Sequence, residues 1–554
     1  MTSNERINAA RRCAVIASYD NAIADNYLRF IEGDKKATSE YIYPNQKEDA
    51  AHIVNEFHTN NRRVISVPKK TKVGADGLMI EVAKQMTTHP DDNFIVNSAN
   101  VRILTGMSNA SWEKDMIEKA PTCFKDKIFH HGQLKRSALK ELRNALIIID
   151  ELDTGDKEYQ VLHTTLQEAG VLNIQFMEEN NIRFLFISAT IVKELYELYK
   201  WGDLHCTYKM TIPDNYIGHT EFRKKGIIQE FYPLNTVSNV EKWIREDIDE
   251  NYGADFRIHI VRATLKTVGI IQHACIKHGI DCRNHTSSDK IEDEVFQDLF
   301  EGPLLTRHIV LIVKGFFRRA NLIPNDWKLR IGSTFEYYTK MVDNNVQIQG
   351  LPGRMTGYWK NIIESGHKTG PYRTSLKAIE QYEAAYENPF GNSSYQTAGF
   401  KKVNSKITTT TSVFVTPSNI VGLVAIDNPF VSLVEQEDIK KNVPIVLPMI
   451  ISEIDRIHGL PTKQKQKALR NILKEYLNTV NKETLATRID EFEIGQITRP
   501  NTDGSRKRNI DDPVNAFESN RSSSVNVKDK SKNSWQAAFD DKDNRIIFMI
   551  YCNP

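Results

Sequence analysis

The sequence predicts an α/β protein of two tandem lobes, each a parallel sheet with helices on both faces, followed by an accessory C-terminal region of mixed α/β character. Two observations carry this. Short apolar runs alternate with longer helical patterns in two successive series, and the runs are apolar at consecutive positions, as strands covered on both faces must be. Strand and helix in alternation place the helices on crossovers between parallel strands.

Residues 1–40 read as an N-terminal helical segment. In the first lobe, residues 41–215, the strand-like runs are RRVISVP (62–68), NFIVNS (93–98), KIFHH (127–131), ALIIID (145–150) and RFLFISAT (183–190). The second lobe, residues 216–380, supplies RIHIVRAT (257–264), IDCRNHT (280–286), RHIVLIV (307–313) and KLRIGST (328–334). Helices over TVGIIQHACIKHG and DKIEDEVFQDLF lie between them, and the lobes join near residues 205–225. Residues 381–554 change character. There 396–416 reads as strand or linker, 435–485 as helices, the polar stretch 499–534 as a long mobile loop, and NRIIFMIYCN as a final buried strand.

The 554 residues are 40% hydrophobic and 26% charged, enough for ordinary cores. Lys and Arg number 73 against 71 Asp and Glu, so contact with nucleic acid must come from a local basic groove and not from global charge. No stretch approaches the ~18 apolar residues of a membrane span, and the chain reads as soluble and intracellular. Six cysteines include no CxxC pair, which argues against a disulfide framework and a zinc ribbon alike. The spacing of Cys275, His278, Cys282 and His285 admits zinc, but a helix packed on a parallel sheet explains small buried cysteines without metal.

The strongest chemical signal is ALIIIDELD. An apolar strand ending in Asp150-Glu151 sets one carboxylate where the Mg²⁺ of a nucleotide can be held and a second where it can polarise attacking water. The next strand ends in Ser188-Ala189-Thr190, and VQIQGLPGRMTGY (346–358) carries Gln349, Gly353 and Arg354. In this order the three elements resemble motifs II, III and VI of the superfamily 2 helicases and translocases, over about residues 41–365.

That resemblance implies two RecA-like lobes that bind ATP and Mg²⁺ in the cleft between them, with DNA or RNA as partner and further protein partners through the C-terminal region. It implies that Asp150 holds Mg²⁺, that Glu151 orients and deprotonates water, and that Arg354, beside Gly353, stabilises transition-state charge. Ser188 and Thr190 would connect hydrolysis to nucleic-acid contacts. Gln46 stands where the family reads the adenine edge. HIVRAT and VKGFFRRANLIP stand where motifs IV and V line the nucleic-acid track or the cleft, which points to Arg262, Thr264, Lys314 and Arg319. In the region of motif Ia, ILTGMSNASW, Trp112 reads as a packing anchor or a base-stacking group. Three departures are visible: motif V lacks the Gly and the acid after Arg319, Gly357-Tyr358 stands near the place of the second Arg of motif VI, and Gln349 sits one residue farther from Gly353-Arg354 than in the common spacing.

The phosphate loop departs further. KKTKVGADGLMI follows a strand and precedes a helix, the setting in which amides converge on phosphate. Gly74 and Gly77 match the family pattern, but Ala75 replaces the lysine and Asp76 the hydroxyl residue that holds Mg²⁺. The local charge changes by about two units beside a triphosphate, which weakens binding unless Lys69, Lys70 or Lys72 reaches back. Two readings stay open: an ATP-dependent helicase or translocase served by a neighbouring lysine, or a non-hydrolysing nucleic-acid-binding or assembly subunit of the same shape.

Overall fold

The computed structural model describes residues 3–108, 110–155, 160–286, 289–317, 319, 323–389, 395–397, 400–403, 406–409, 445–479, 483–503, 507–511, 516–517 and 533–551. The chain forms two compact units. One comprises Met1–Val171, Gln175–Leu195 and Leu204–Val415, and the other Leu172–Ile174, Tyr196–Asp203 and Thr416–Pro554.

The first unit holds both lobes. Lobe 1 is a six-stranded sheet of β1 (Val64–Pro68), β2 (Val101–Thr105), β3 (Ile128–Phe129), β4 (Ala145–Asp150), β5 (Ile182–Ser188) and β6 (His205–Thr207). All pairings are parallel, in the order β3-β2-β4-β5-β1-β6. Every residue of β1, β4 and β5 is buried, as their unbroken apolar runs require. Helices α1 (Ser3–Ile31), α2 (Pro44–His58), α3 (Ala75–Thr88) and α4 (Ala110–Lys119) belong to the same lobe. The register sets Pro68 opposite Ser188, Asp150 opposite Ile187 and Thr105 opposite Asp150. The C-terminal ends of β1, β2, β4 and β5 therefore meet at one corner, where an open α/β sheet offers its crevice.

Lobe 2 repeats the design with β7 (Ile228–Glu230), β8 (Ile258–Arg262), β9 (Asp281–Thr286), β10 (Ile309–Lys314), β11 (Ile331–Phe335) and β12 (Tyr372–Thr374). These are again all parallel, ordered β7-β12-β11-β8-β10-β9. The predicted fold class, tandem parallel-sheet lobes with an accessory C-terminal region, is the one observed.

One predicted strand is absent. NFIVNS is not in the sheet, and its place is taken by VRILT (β2). Phe94, Ile95 and Val96 are buried, but the Val96 amide donates to Met86 O at the end of α3. Asn97 then accepts from the Ala99 amide and turns the chain before the strand begins. Apolar content reported burial here, and the Asn side chain decided the backbone.

Residues 396–409 contribute a three-stranded antiparallel sheet, β13 (Gln396–Thr397), β14 (Phe400–Val403) and β15 (Lys406–Thr409). In the second unit β16 (Ile445–Pro448), β17 (Glu493–Thr498), β18 (Ser534–Asp540) and β19 (Arg545–Tyr551) form a mixed sheet. Helices Ile451–His458, Thr462–Thr479 and Glu483–Arg488 share its apolar core through Ile454, Leu469, Leu473 and Leu485. The expected helices from Ile451 on and the final strand are present, whereas β16, inside the span 435–485 read as helical, and β17 and β18 were not anticipated. Within the stretch expected as a polar loop, Ala516 and Phe517 are buried, and Gln536 of β18 donates to Phe517 O. Much of that stretch, and of 396–416 and 435–444, lies outside the described residues. Among the described residues no helix is long and apolar enough to cross a membrane.

Candidate functional site

The corner at the end of β4 gathers three carboxylates. Asp150 and Glu151 are 5% and 4% exposed. Asp150 Oδ2 accepts from Trp112 Nε1 at 2.9 Å. Its Oδ1 is buried and accepts no hydrogen bond, with Lys69 Nζ 3.9 Å away. Burial pushes the Asp150 carboxyl up to about 6; Lys69 pulls it back, and Glu151 and Asp76 add to the rise. At Glu151 the backbone enters the left-handed region, φ 52°.

Glu151 is held from both lobes. Lys69 Nζ lies 3.2 Å from its Oε1, while Gln349 Nε2 donates to Oε2 at 3.1 Å and Arg319 stands 3.5 Å from the same oxygen. Asp153 is the hub beside it. It receives Ser188 Oγ and Thr190 Oγ1 at 3.0 Å each, Arg319 at 2.6 Å and Asn345 Nδ2 at 3.0 Å. Burial opposes its charge, but Arg319 and the hydroxyls outweigh burial and lower its pKa. Ser188 also lies 3.4 Å from Glu151, so the Ser-Ala-Thr turn touches both acids.

Arg354 is 1% exposed on the short helix Leu351–Met355. It donates to Arg319 O at 2.6 Å and to Gln349 Oε1 at 2.9 Å, so Gln349 links it to Glu151. Burial draws its guanidinium down to about 10. Gly353 is required by space, because a Cβ there would stand 2.0 Å from Ile348 O.

The loop between β1 and α3 keeps its backbone frame. Gly74 has φ +87°, and a Cβ at Gly74 or Gly77 would strike the Gln46 amide at 2.5 Å. Gln46 accepts from the Tyr43 amide at 2.8 Å and donates to Gly74 O at 2.6 Å, so it fastens the start of α2 to the loop. Ala75 and Asp76 form the first turn of α3. Asp76 pairs with Lys119 of α4 at 2.6 Å; burial works against its charge, and Lys119 outweighs it and lowers the carboxyl.

The three candidate lysines part company. Lys69 is spent on Asp150 and Glu151, which outweigh burial and raise it. Lys70 points away, 3.6 Å over the Tyr386 ring, and burial lowers it to about 8. Lys72, at φ 58°, makes no hydrogen bond or ion pair among the described residues. Burial, then Arg354, Lys69 and Lys119, hold it well below the usual lysine value, with Asp76 opposing.

Lobe 2 closes over this loop. Tyr216 and Thr356 hydroxyls both donate to Thr71 O, at 2.6 and 2.9 Å, and Tyr358 donates to Val73 O at 2.6 Å. Tyr358 also stacks on Tyr43 with centroids 5.3 Å apart. Beside them a cavity of about 250 Å³ is lined by Tyr43, Gln46, Gly74, Gly77, Ile80 and Tyr358, among others.

The other sequence candidates are scattered. Arg262 is 8% exposed, pairs with Glu336 at 2.5 Å and donates to the carbonyls of Phe316 and Phe317, so its donors are spent inside lobe 2. Thr264 caps the helix Leu265–Lys277 and exchanges contacts with Thr267. Lys314 is exposed at the end of β10. Arg319, expected on a nucleic-acid track, sits in the carboxylate corner. Of the zinc-like set, Cys275 is buried in the lobe-2 core and His285 lies against Phe296 and Phe316.

Asp153 and Lys119 were not singled out for the site from sequence, and Trp112, read as a packing anchor or a base-stacking group, instead donates to Asp150. For Asp153 the signal was present in the DELD spacing. For Lys119, at the far end of α4, none was.

No protein-family model and no curated protein sequence matches the chain. Among solved structures it is similar to Saccharomyces cerevisiae Dbp5 bound to RNA and ADP-BeF3, at 11% identity over 63% of this chain and 92% of that one, TM-score 0.36. It is similar to a Dbp5 variant bound to a Gle1 variant and IP6, at 12% identity over 63% and 91%, TM-score 0.33. A DEAD box protein from Methanococcus jannaschii is similar at 12% identity over 61% and 90%, TM-score 0.31.

Proposed function

We propose that the chain is a nucleic-acid-dependent nucleoside triphosphatase of the helicase or translocase type, binding ATP with Mg²⁺ between its two lobes. The observation that carries this reading is the buried Glu151, which receives Lys69 from lobe 1 and Gln349 and Arg319 from lobe 2. A carboxylate that both lobes grip makes lobe closure and the position of the base one event.

The residues fit a divalent metal at Asp150, whose buried Oδ1 lacks a hydrogen-bond partner. Bound there, Mg²⁺ would offset phosphate charge during transfer. Glu151 orients and deprotonates the attacking water. Arg319 and Arg354 supply positive charge from lobe 2, and Gln349 keeps Arg354 in register with Glu151. Ser188 and Thr190 act through Asp153, tying the strand end of lobe 1 to Arg319. The cavity lined by Tyr43, Gln46 and Tyr358 would take the nucleobase. Lys314 and Thr264, at the ends of β10 and β8, would face nucleic acid.

A second reading, a non-hydrolysing nucleic-acid-binding or assembly subunit, is favoured by one observation. The position of the magnesium-binding hydroxyl carries Asp76, already neutralised by Lys119. ATP turnover by the full chain, alone and with single-stranded DNA, single-stranded RNA or duplex, separates the two. Stimulated turnover supports the motor; nucleic-acid binding without turnover supports the subunit.

A further inference from the structure

Resting on the nucleotide reading above, we propose that Trp112 is the positioning residue of the metal side of this site: its indole N–H fixes the Asp150 carboxylate so that only Oδ1 faces the ion.

The geometry is specific. Trp112 is 6% exposed and its Nε1 lies 2.9 Å from Asp150 Oδ2. Indole N–H can only donate, so this contact has one direction and cannot reverse as a hydroxyl or an amide could. The ring belongs to the lobe-1 core with Met107, Met116 and Phe124, which leaves it little freedom to turn. The backbone of Asp150 is fixed from β2, where Thr105 Oγ1 donates to Asp150 O at 3.0 Å. With one carboxylate oxygen taken and the main chain anchored, the second oxygen is left buried and without a hydrogen-bond partner. A buried acceptor in that state is costly unless a ligand completes it. Lys69 at 3.9 Å is too far to serve as its hydrogen-bond donor.

Outer partners that orient a ligating carboxylate typically control metal affinity by ~10–100-fold. Trp112→Phe keeps most of the ring and removes the donor. A second variant carries at position 112 the benzothiophene analogue of tryptophan, with sulfur in place of N–H, which preserves shape more closely. For the full chain and each variant, Mn²⁺ binding is measured by paramagnetic resonance with ADP present, and metal-free ADP binding by calorimetry.

The expected result is Mn²⁺ affinity weakened by ~10–100-fold in both folded variants, with metal-free ADP binding unchanged. Mn²⁺ should also quench an emission component in the unaltered chain that Trp112→Phe lacks. Wild-type Mn²⁺ affinity in either folded variant overturns the assignment while leaving the nucleotide reading intact. Absence of metal-dependent ADP binding in the unaltered chain overturns both.

Discussion

The corner at the end of β4 and the loop after β1 are neighbours in one lobe, yet they are built on opposite terms. At the corner, Glu151 and Asp153 face cations and donors from lobe 2 as well as lobe 1, while Asp150, met by Trp112 and Lys69 of lobe 1, keeps one oxygen without a hydrogen-bond partner. At the loop the frame survives, with Gly74 left-handed and both glycines pressed by Gln46, but the charges have moved. The cation expected on the first turn of α3 is missing there, Lys119 arrives from α4, and it meets Asp76 instead of solvent. Backbone geometry and electrostatics can thus be retained separately. A loop can keep its shape because Gln46 needs the space, while its affinity is set by side chains from other elements.

Breaking the intact corner should give the largest effect. Glu151→Gln keeps volume and hydrogen-bonding reach but removes the base, so nucleic-acid-stimulated turnover should fall ~10²–10⁴-fold with analogue binding near normal. Turnover at the wild-type rate would take Glu151 out of catalysis. Next comes Arg354→Ala, expected to lower turnover by up to ~10³-fold. Gln349 loses the partner that holds it toward Glu151, so the loss should appear in kcat more than in nucleotide binding. A change confined to KM would place Arg354 in ground-state binding only.

What was legible in the sequence follows the same division. Asp150, Glu151, Ser188 and Thr190 end strands whose apolar runs declare themselves, so their convergence could be read from strand order. Asp153 stood in the same phrase, but its importance depends on Arg319 and Asn345, 166 and 192 residues away. Arg262 looked available and is buried against Glu336, because a charge at a strand end reads the same whether it faces solvent or a buried partner. The three lysines before Gly74 were indistinguishable by type; a left-handed turn at Lys72 and an aromatic neighbour for Lys70 separate them. Periodicity reports burial well and cannot report which of two adjacent polar groups a distant helix will meet.

The altered loop can be repaired to sharpen the comparison. Ala75→Lys with Asp76→Thr restores a charge-assisted phosphate contact and removes a repulsive carboxylate, each typically worth ~1.5–3 kcal/mol when partly desolvated. It also releases Lys119 from its pair. Titration of ATP with Mg²⁺ should show tighter binding than the unaltered chain. Equal, weak binding by both would mean that this loop does not cradle phosphate.

The smallest effect concerns Lys72, the loop lysine without an ion pair among the described residues. In the free protein, burial and the neighbouring Arg354, Lys69 and Lys119 hold its pKa well below the ordinary lysine value. A bound triphosphate would favour the ammonium and raise it. Between the depressed free value and the raised bound value the complex therefore carries more protons than its parts, so binding takes up a proton and affinity falls as pH rises through that range. Below the free value Lys72 is already charged and the uptake vanishes. Calorimetry of ATP with Mg²⁺ in Hepes and in Tris, whose ionisation heats differ, measures it: the apparent heats should differ by up to about one proton per nucleotide. Lys72→Gln should abolish both the buffer dependence and the fall in affinity with pH. Uptake that persists in Lys72→Gln would assign the proton to another group, and the absence of uptake in the unaltered chain would mean that Lys72 does not sit against phosphate, leaving the loop with no cation of its own.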